Sequence, residues 1–344
     1  MRNNRKPLIA VIVFALIFIA GYFFRNGKTE ETQKTGIYQR NEGTVFGTIY
    51  HISYEYDEDL HEAIKKEMKK FDFSLSMFNS ESVISKVNNN DSNVVLDEWF
   101  INVFNKGTEI SKATENAFDM TVAPLVNLWG FGFKKKENVT KEKVDSIMDF
   151  VGIDKIKLID KKIVKDDPRV MFDASAIAKG YACDIVGNLL QSYKIKNFMV
   201  EIGGEVAALG VNSKGKCWRI GINKPVEADG IDRNEIQDVI ELCNKGMATS
   251  GNYRNFYYKD GKRVAHTIDP RTGYPVEHSL LSATVIAPDC MTADAYATSF
   301  MVLGLEKSLE IINSNPQLDA YFIYTTPNDS NAVVMSDGFK QILQ

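Results

Sequence analysis

A chain of 344 residues with 44% hydrophobic and 25% charged residues has the make-up of an ordinary globular protein, long enough for one large domain or two. Its net charge of −4 leaves no basic footprint, so nucleic acid is excluded as a partner. Four spread-out cysteines, Cys183, Cys217, Cys243 and Cys290, exclude a zinc site or a disulfide scaffold and read as buried small hydrophobes with room for one bridge.

Pro7 to Phe24 carries no charge and follows Arg2, Arg5 and Lys6. The run reaches the length of a bilayer span, about 17–25 residues. It ends in bulky Tyr22-Phe23-Phe24, with neither a small-residue cleavage site nor a lipid-accepting cysteine after it. Residues 1–28 therefore read as an uncleaved signal anchor at the cell membrane. The anchor is single-pass with its basic end inside, which leaves the body extracytoplasmic. A cleaved signal peptide is the alternative. Residues 29–43 are polar and charged and read as a tether, and residues 44–344 form the body.

The body starts with a β-type run from Thr44 to Tyr56. Leu60, Ile64, Met68 and Phe71 then recur at helical spacing. Asp97 and Thr140 are placed to cap two further helices. Between them, Thr114 to Phe133 mixes Gly, Pro, Trp and Phe without a period, as a buried plug or a ligand-lining loop does. Val170 to Asp173 is a strand feeding a helix, with Ser175 as the expected cap and Lys179 and Gly180 in the first turns. A helix start of this kind attracts anions, although neither a Walker loop nor a G-x-G-x-x-G is present. Phe198 to Ile202 is a strand that runs into paired glycines and Glu205. Two β runs around Asp260-Gly261 read as a type I′ hairpin whose second strand delivers His266. A rigid turn at Arg271 to Pro275 follows, then a strand from Ser282 to Ala287 and a small-residue helix from Ala293 to Leu303. A further helix (306–313) and a closing hairpin (320–325, 332–335) complete an α+β pattern, with no β-α-β-α rhythm and no repeat.

Asp294 and Thr298 lie four apart, one turn along a helical face. They read either as a dipole-favoured acid and a back-bonding hydroxyl, or as two hard oxygen ligands for Mg²⁺. Ala293, Ala295 and Ala297 around them favour close approach over a solvated face. Lys179 is either a surface cation or the partner of an anion, since a cation in a first turn opposes the helix dipole.

FGT at Phe46, LSMFNSES, AFDMTVAPLVNLWGFG, FDASAIAKGYACD, VEIGGEVAALG, ATSGNYRNFY, HTIDPRTGYPV and MTADAYATSFMVLG occur in that order. Over residues 40–340 the chain resembles the ApbE family of FAD:protein FMN transferases. The resemblance implies a T-fold-related α+β body of antiparallel sheets with packed helices. It also implies Mg²⁺ as cofactor, FAD as substrate and an acceptor flavoprotein whose threonine receives FMN as AMP leaves. Membrane redox-complex subunits and surface reductases are acceptors of the implied kind. By the same resemblance Asp294, Thr298 and the Ala176 carbonyl hold the metal, while Asp173 and Lys179 contact the flavin nucleotide. The Ala117-Phe118-Asp119 loop packs on FAD, Phe46 and Phe78 supply aromatic contacts, and Ile268 and His266 line the nucleotide. His266 or Asp294 takes the threonine proton, and the near-neutral reference pKa of histidine favours His266. The departures from the family pattern are Phe46 where Met is usual, Ala123 where Gly is common, and Ala174 in place of a larger apolar residue. None removes a ligand or a charge. FAD hydrolysis to FMN and AMP, or FAD binding without chemistry, are the alternatives.

Overall fold

The computed structural model describes residues 36–132, 138–225, 235–252, 256–259 and 262–344. The expected signal anchor and residues 29–35 of the tether lie outside the described residues. Among those described, no helix is long and apolar enough to cross a membrane. The β run expected from Thr44 is two strands. β1 (Tyr38–Val45) pairs antiparallel with β2 (Thr48–Glu55). Phe46 (φ 52°) and Gly47 (φ 74°) make the turn between them, both in the left-handed region that a two-residue type I′ hairpin requires. The apolar pattern runs through this turn without an Asn-Gly or Asp-Gly signal, so the sequence hides it. The last residues of the polar stretch, from Tyr38, are therefore strand and not tether.

The helices of the first half follow their apolar spacing. α1 (His61–Leu75) buries Ile64, Met68 and Phe71. α2 (Val83–Asn88) is capped by Ser82, and α3 (Glu98–Ala113) is capped by Asp97, whose side chain accepts the Phe100 N–H at 2.8 Å. The irregular aromatic stretch turns into a short helix, α4 (Ala123–Trp129), ended by Gly130 at φ 82°. α5 (Lys141–Met148) follows Thr140, and a small ribbon, β3 (Ile156–Ile159) with β4 (Lys162–Lys165), leads to α6 (Ala178–Ser192).

β5 (Phe198–Ile202) and β6 (Glu205–Leu209) form a hairpin about Gly203 and Gly204. β7 (Trp218–Asn223) and β8 (Ile236–Leu242) make a separate ribbon. β9 (Gly246–Gly251) precedes the expected hairpin, which is present as β10 (Phe256–Lys259) and β11 (Lys262–Ala265). Its turn residues lie outside the described ones. β12 (Ile268–Asp269) and β13 (Tyr274–Pro275) close the rigid turn. β14 (Leu280–Ala287) then enters α7 (Cys290–Leu303). α8 (Leu305–Ser314), β15 (Asp319–Thr325), β16 (Asn331–Met335) and a final turn, α9 (Asp337–Lys340), complete the chain.

Eight strands form one antiparallel sheet in the order β1-β2-β5-β6-β9-β14-β15-β16. Period-two alternation sends successive side chains to opposite faces. Val200, Ala207, Ala248, Val285 and Phe322 join the main core with residues of α1, α3, α6 and α7. Val206, Met247, Ile286, Tyr321 and Ile323 join a second core under the β7–β8 ribbon. Burial on both faces makes β14 apolar along nearly its whole length. A third cluster of Leu125, Leu128, Trp129, Val144, Val151 and Ile268 ties α4 and α5 to the β12 region. Cys217 and Cys243 are joined across the open end of the β7–β8 ribbon, with Cα atoms 5.1 Å apart, while Cys183 and Cys290 are buried free thiols. The expected room for one bridge is filled.

Candidate active site

The two helices α6 and α7 meet near their N-termini, and the contact sets the site. α6 begins at Ala178 with Ile177 in the cap position and no side-chain cap. Ser175, the expected cap, lies further back, and its N–H donates to Asp173 Oδ1 at 2.8 Å. A helix start leaves backbone donors without partners. Here the Gly180 N–H is taken by Asp294 Oδ2 of α7 at 2.9 Å. A Cβ at Gly180 would collide with the Cys290 carbonyl and lie 2.7 Å from the Asp294 Cβ. Only glycine lets the helices approach this closely.

Asp294 is 2% exposed. Burial raises its pKa, against the opposing pull of Lys179 and the Gly180 N–H. Lys179 Nζ pairs with Glu205 Oε1, at the start of β6. Burial works against the Lys179 charge, but Asp294 and Glu205 outweigh it and hold the ammonium above its ordinary value. Glu205 is 3% exposed, and burial pushes it up to about 7 despite Lys179. Its Oε2 has no hydrogen-bond partner. Two buried carboxylates thus face one ammonium, an imbalance that a hard cation would offset. Among the described residues no group of three or more His, Cys, Asp and Glu side chains could hold a metal. Of the three oxygens that the resemblance assigns to a metal, the Asp294 carboxylate and the Thr298 hydroxyl stand one turn apart on α7, and the Ala176 carbonyl lies two residues before α6.

Thr298 Oγ1 lies 3.1 Å from Ser250 Oγ on β9. Two residues on, Asn252 Oδ1 accepts from Thr267 Oγ1 at 2.6 Å. Thr267 follows His266, so β9 links the α7 face to the histidine. His266 stands in the bend after β11, with Phe131 edge-on at 6.3 Å between ring centroids. Ile268 is buried in the third cluster.

The Ala117–Asp119 loop runs beside Asp173, whose N–H donates to the Met120 carbonyl at 2.6 Å. Ala117, Phe118 and Asp119 are all buried. The Asp119 carboxylate is occupied within the fold: it accepts from the Thr121 N–H and hydroxyl, each at 2.7 Å, and from the Ile153 N–H at 2.9 Å. Burial raises Asp119 and Asp173 alike. Phe46 packs on Phe71 at 5.7 Å, and Phe71 packs on Tyr181 of α6 at 5.7 Å. Phe78 stands on the surface between α1 and α2, 86% exposed.

A family model, that of the ApbE family, matches residues 46–322. The chain belongs to the ApbE family. The FAD:protein FMN transferase of Haemophilus influenzae is 39% identical over 318 residues, covering 88% of this chain and 90% of that protein. The solved structure of the flavin transferase ApbE from Vibrio cholerae superposes with a TM-score of 0.80 at 35% identity, over 89% of this chain and 99% of that one. The apo flavinyl transferase ApbE of Pseudomonas stutzeri gives 0.79 at 29% identity, over 89% and 96%. In this ApbE chain the residues that sequence reasoning missed are Glu205, Ser250 and Asp184. Glu205 carries a readable signal, being a lone acid ahead of the apolar VAAL, and Asp184 a weaker one as the only acid of α6. Ser250 carries none, because a strand serine has no pattern of its own.

Proposed function

We propose that this protein transfers FMN from FAD to a threonine hydroxyl of an acceptor flavoprotein and releases AMP. The observation that carries the reading is the meeting of the buried Asp294 and Glu205 carboxylates with the partly exposed Lys179 ammonium at the crossing of α6 and α7, in a chain of the ApbE family. The relatives named FAD:protein FMN transferase supply the reaction class.

In the proposed reaction, the acceptor oxygen bonds to the flavin-side phosphorus, the bond from that phosphorus to the bridging oxygen breaks, and AMP departs with the charge. The oxygen set of Asp294, Thr298 and the Ala176 carbonyl fits Mg²⁺, which favours one or two carboxylates completed by neutral and phosphate oxygens. When bound there, Mg²⁺ supplies neutralisation of diphosphate charge. Lys179 adds a fixed positive charge, and the start of α6 adds dipole support for anionic oxygens. Asp294 is committed to Gly180 and to the cation, so His266 is the better acceptor for the threonine proton, a contribution of about 10²–10⁴-fold. Asp173, Phe46, Phe78, Ile268 and the Ala117–Asp119 loop then border the nucleotide and flavin. Asp119 contributes by holding the loop's shape.

The same reading places the body outside the cytoplasm behind the Pro7–Phe24 anchor. The Cys217–Cys243 bridge supports it, because disulfides persist in oxidising compartments. Membrane redox proteins with exported flavin domains are the acceptors of matching location. Purified protein incubated with FAD, Mg²⁺ and an acceptor domain tests the reaction. Transfer yields an acceptor that stays fluorescent after denaturation, together with AMP. Free FMN with AMP and no labelled acceptor would mean hydrolysis, and tight FAD binding without turnover would mean a carrier.

A further inference from the structure

α6 and α7 are fastened to each other twice, and the two fastenings mirror one another. Asp294 of α7 accepts the Gly180 N–H at the start of α6. Asp184 of α6 accepts the first two N–H groups of α7, Cys290 N at 2.9 Å on Oδ1 and Met291 N at 2.8 Å on Oδ2. Asp184 lies four residues after Gly180, and Asp294 four residues after Cys290, so each aspartate sits one turn beyond the crossing point. Asp289 takes the third donor of α7, from Thr292, at 2.7 Å. Asp289 acts within its own helix, whereas Asp184 acts between helices.

Solvent exposure does not fix how α7 is turned. Twelve of its fourteen residues are buried, so no polar face is held toward solvent to set its phase. At the crossing the helices touch through Gly180 on one side and Cys290 and Asp294 on the other. A slip of one residue would rotate the α7 side chains by about 100°. That would carry Asp294 away from Lys179 and the Gly180 N–H, and Thr298 away from Ser250. Two directed hydrogen bonds accepted by one partly buried carboxylate add to the packing in resisting such a slip.

We propose that Asp184 is a positioning residue, which sets the register of α7 on α6 and thereby aims Asp294 and Thr298 at the cation. The inference rests on the cation-assisted reading of the site. Mg²⁺ titrated calorimetrically into the FAD-loaded full chain separates the two. Wild-type protein that binds no Mg²⁺ overturns both. If wild type binds, Asp184→Asn is expected to weaken Mg²⁺ about 10–100-fold, the range for residues that orient ligands from behind. The transfer rate is then expected to recover at saturating Mg²⁺, so that the Mg²⁺ requirement moves and kcat stays. Asp289→Ala removes a cap from the same helix and is expected to lower Tm while leaving Mg²⁺ affinity within about threefold, a simple cap loss being a stability effect. Unchanged Mg²⁺ affinity in folded Asp184→Asn overturns the proposal, as does an equal loss in Asp289→Ala. Should Asp184→Asn fail to fold, amide exchange on wild type decides. Mg²⁺ is expected to slow exchange at Cys290 and Met291 together with Gly180, and no change at the first two overturns the proposal.

Discussion

Gly180 sits where two helix backbones touch, and it makes the narrowest demand in the site. Gly180→Ala places a methyl against the Cys290 carbonyl and the Asp294 Cβ, both of which belong to a buried helix that cannot yield cheaply. A loss of about 1–3 kcal/mol is expected, as for overpacking elsewhere, readable by urea unfolding. Little change would show that α6 and α7 separate easily. The acids nearby give a second expectation. Asp184 and Glu205 are each pushed up to about 7, by burial first, and Asp294 is raised for the same cause. An acid whose pKa rises on folding holds its proton more tightly in the folded state. Stability therefore falls as pH climbs from the unfolded carboxylate range near 4 through about 7, each tenfold gain in proton affinity being worth roughly 1.4 kcal/mol. Without divalent cation, urea unfolding at pH 7.5 is expected to show less stability than at pH 5. Equal or greater stability at pH 7.5 would contradict the charge imbalance.

At the scale of elements, the rigid turn between β12 and β13 is held from a distance. Trp129 Nε1 donates to the Gly273 carbonyl at 2.9 Å, and Gly273 adopts φ 79° with Val144 2.6 Å from where a Cβ would stand. Trp129→Phe leaves that carbonyl buried without its donor, at a cost of about 1–3 kcal/mol. Because Ile268 shares this cluster and His266 precedes it, the variant is expected to lower the transfer rate as well as Tm. An unchanged rate would detach the turn from the site. Where elements announce themselves by local chemistry, the sequence is a good guide: Asp97 and Thr140 cap their helices, Gly304 ends α7, and β5 has the expected bounds. It is a poor guide where a tertiary partner replaces the local signal. α6 starts after Ser175, because Asp294 serves its first turn from another helix. The β1–β2 turn uses Phe46 where Asn or Gly would mark it.

Across the whole molecule, the site is legible in its residue types but not in its wiring. The spacing of Asp294 and Thr298 left two readings open, and the family motifs tipped the balance. The link from Lys179 to Glu205 joins residues 26 apart in sequence, and the link from Asp184 to Cys290 spans 106, so no periodicity reports them. The single bridge belongs to this scale too. Cys217–Cys243 closes a loop between residues 26 apart, and its reduction is expected to cost about 2–4 kcal/mol, seen as a lower urea midpoint in dithiothreitol. An unchanged midpoint would mean that the β7–β8 ribbon holds without it. All of these features serve one claim: the α6–α7 crossing is the centre of FMN transfer. The most direct measurement compares wild type and folded Asp294→Ala for AMP release and for the mass gained by an acceptor in the presence of FAD and Mg²⁺. The account predicts one AMP per FMN adduct in wild type and the loss of both products in the variant. Transfer by Asp294→Ala at a rate near wild type would contradict it.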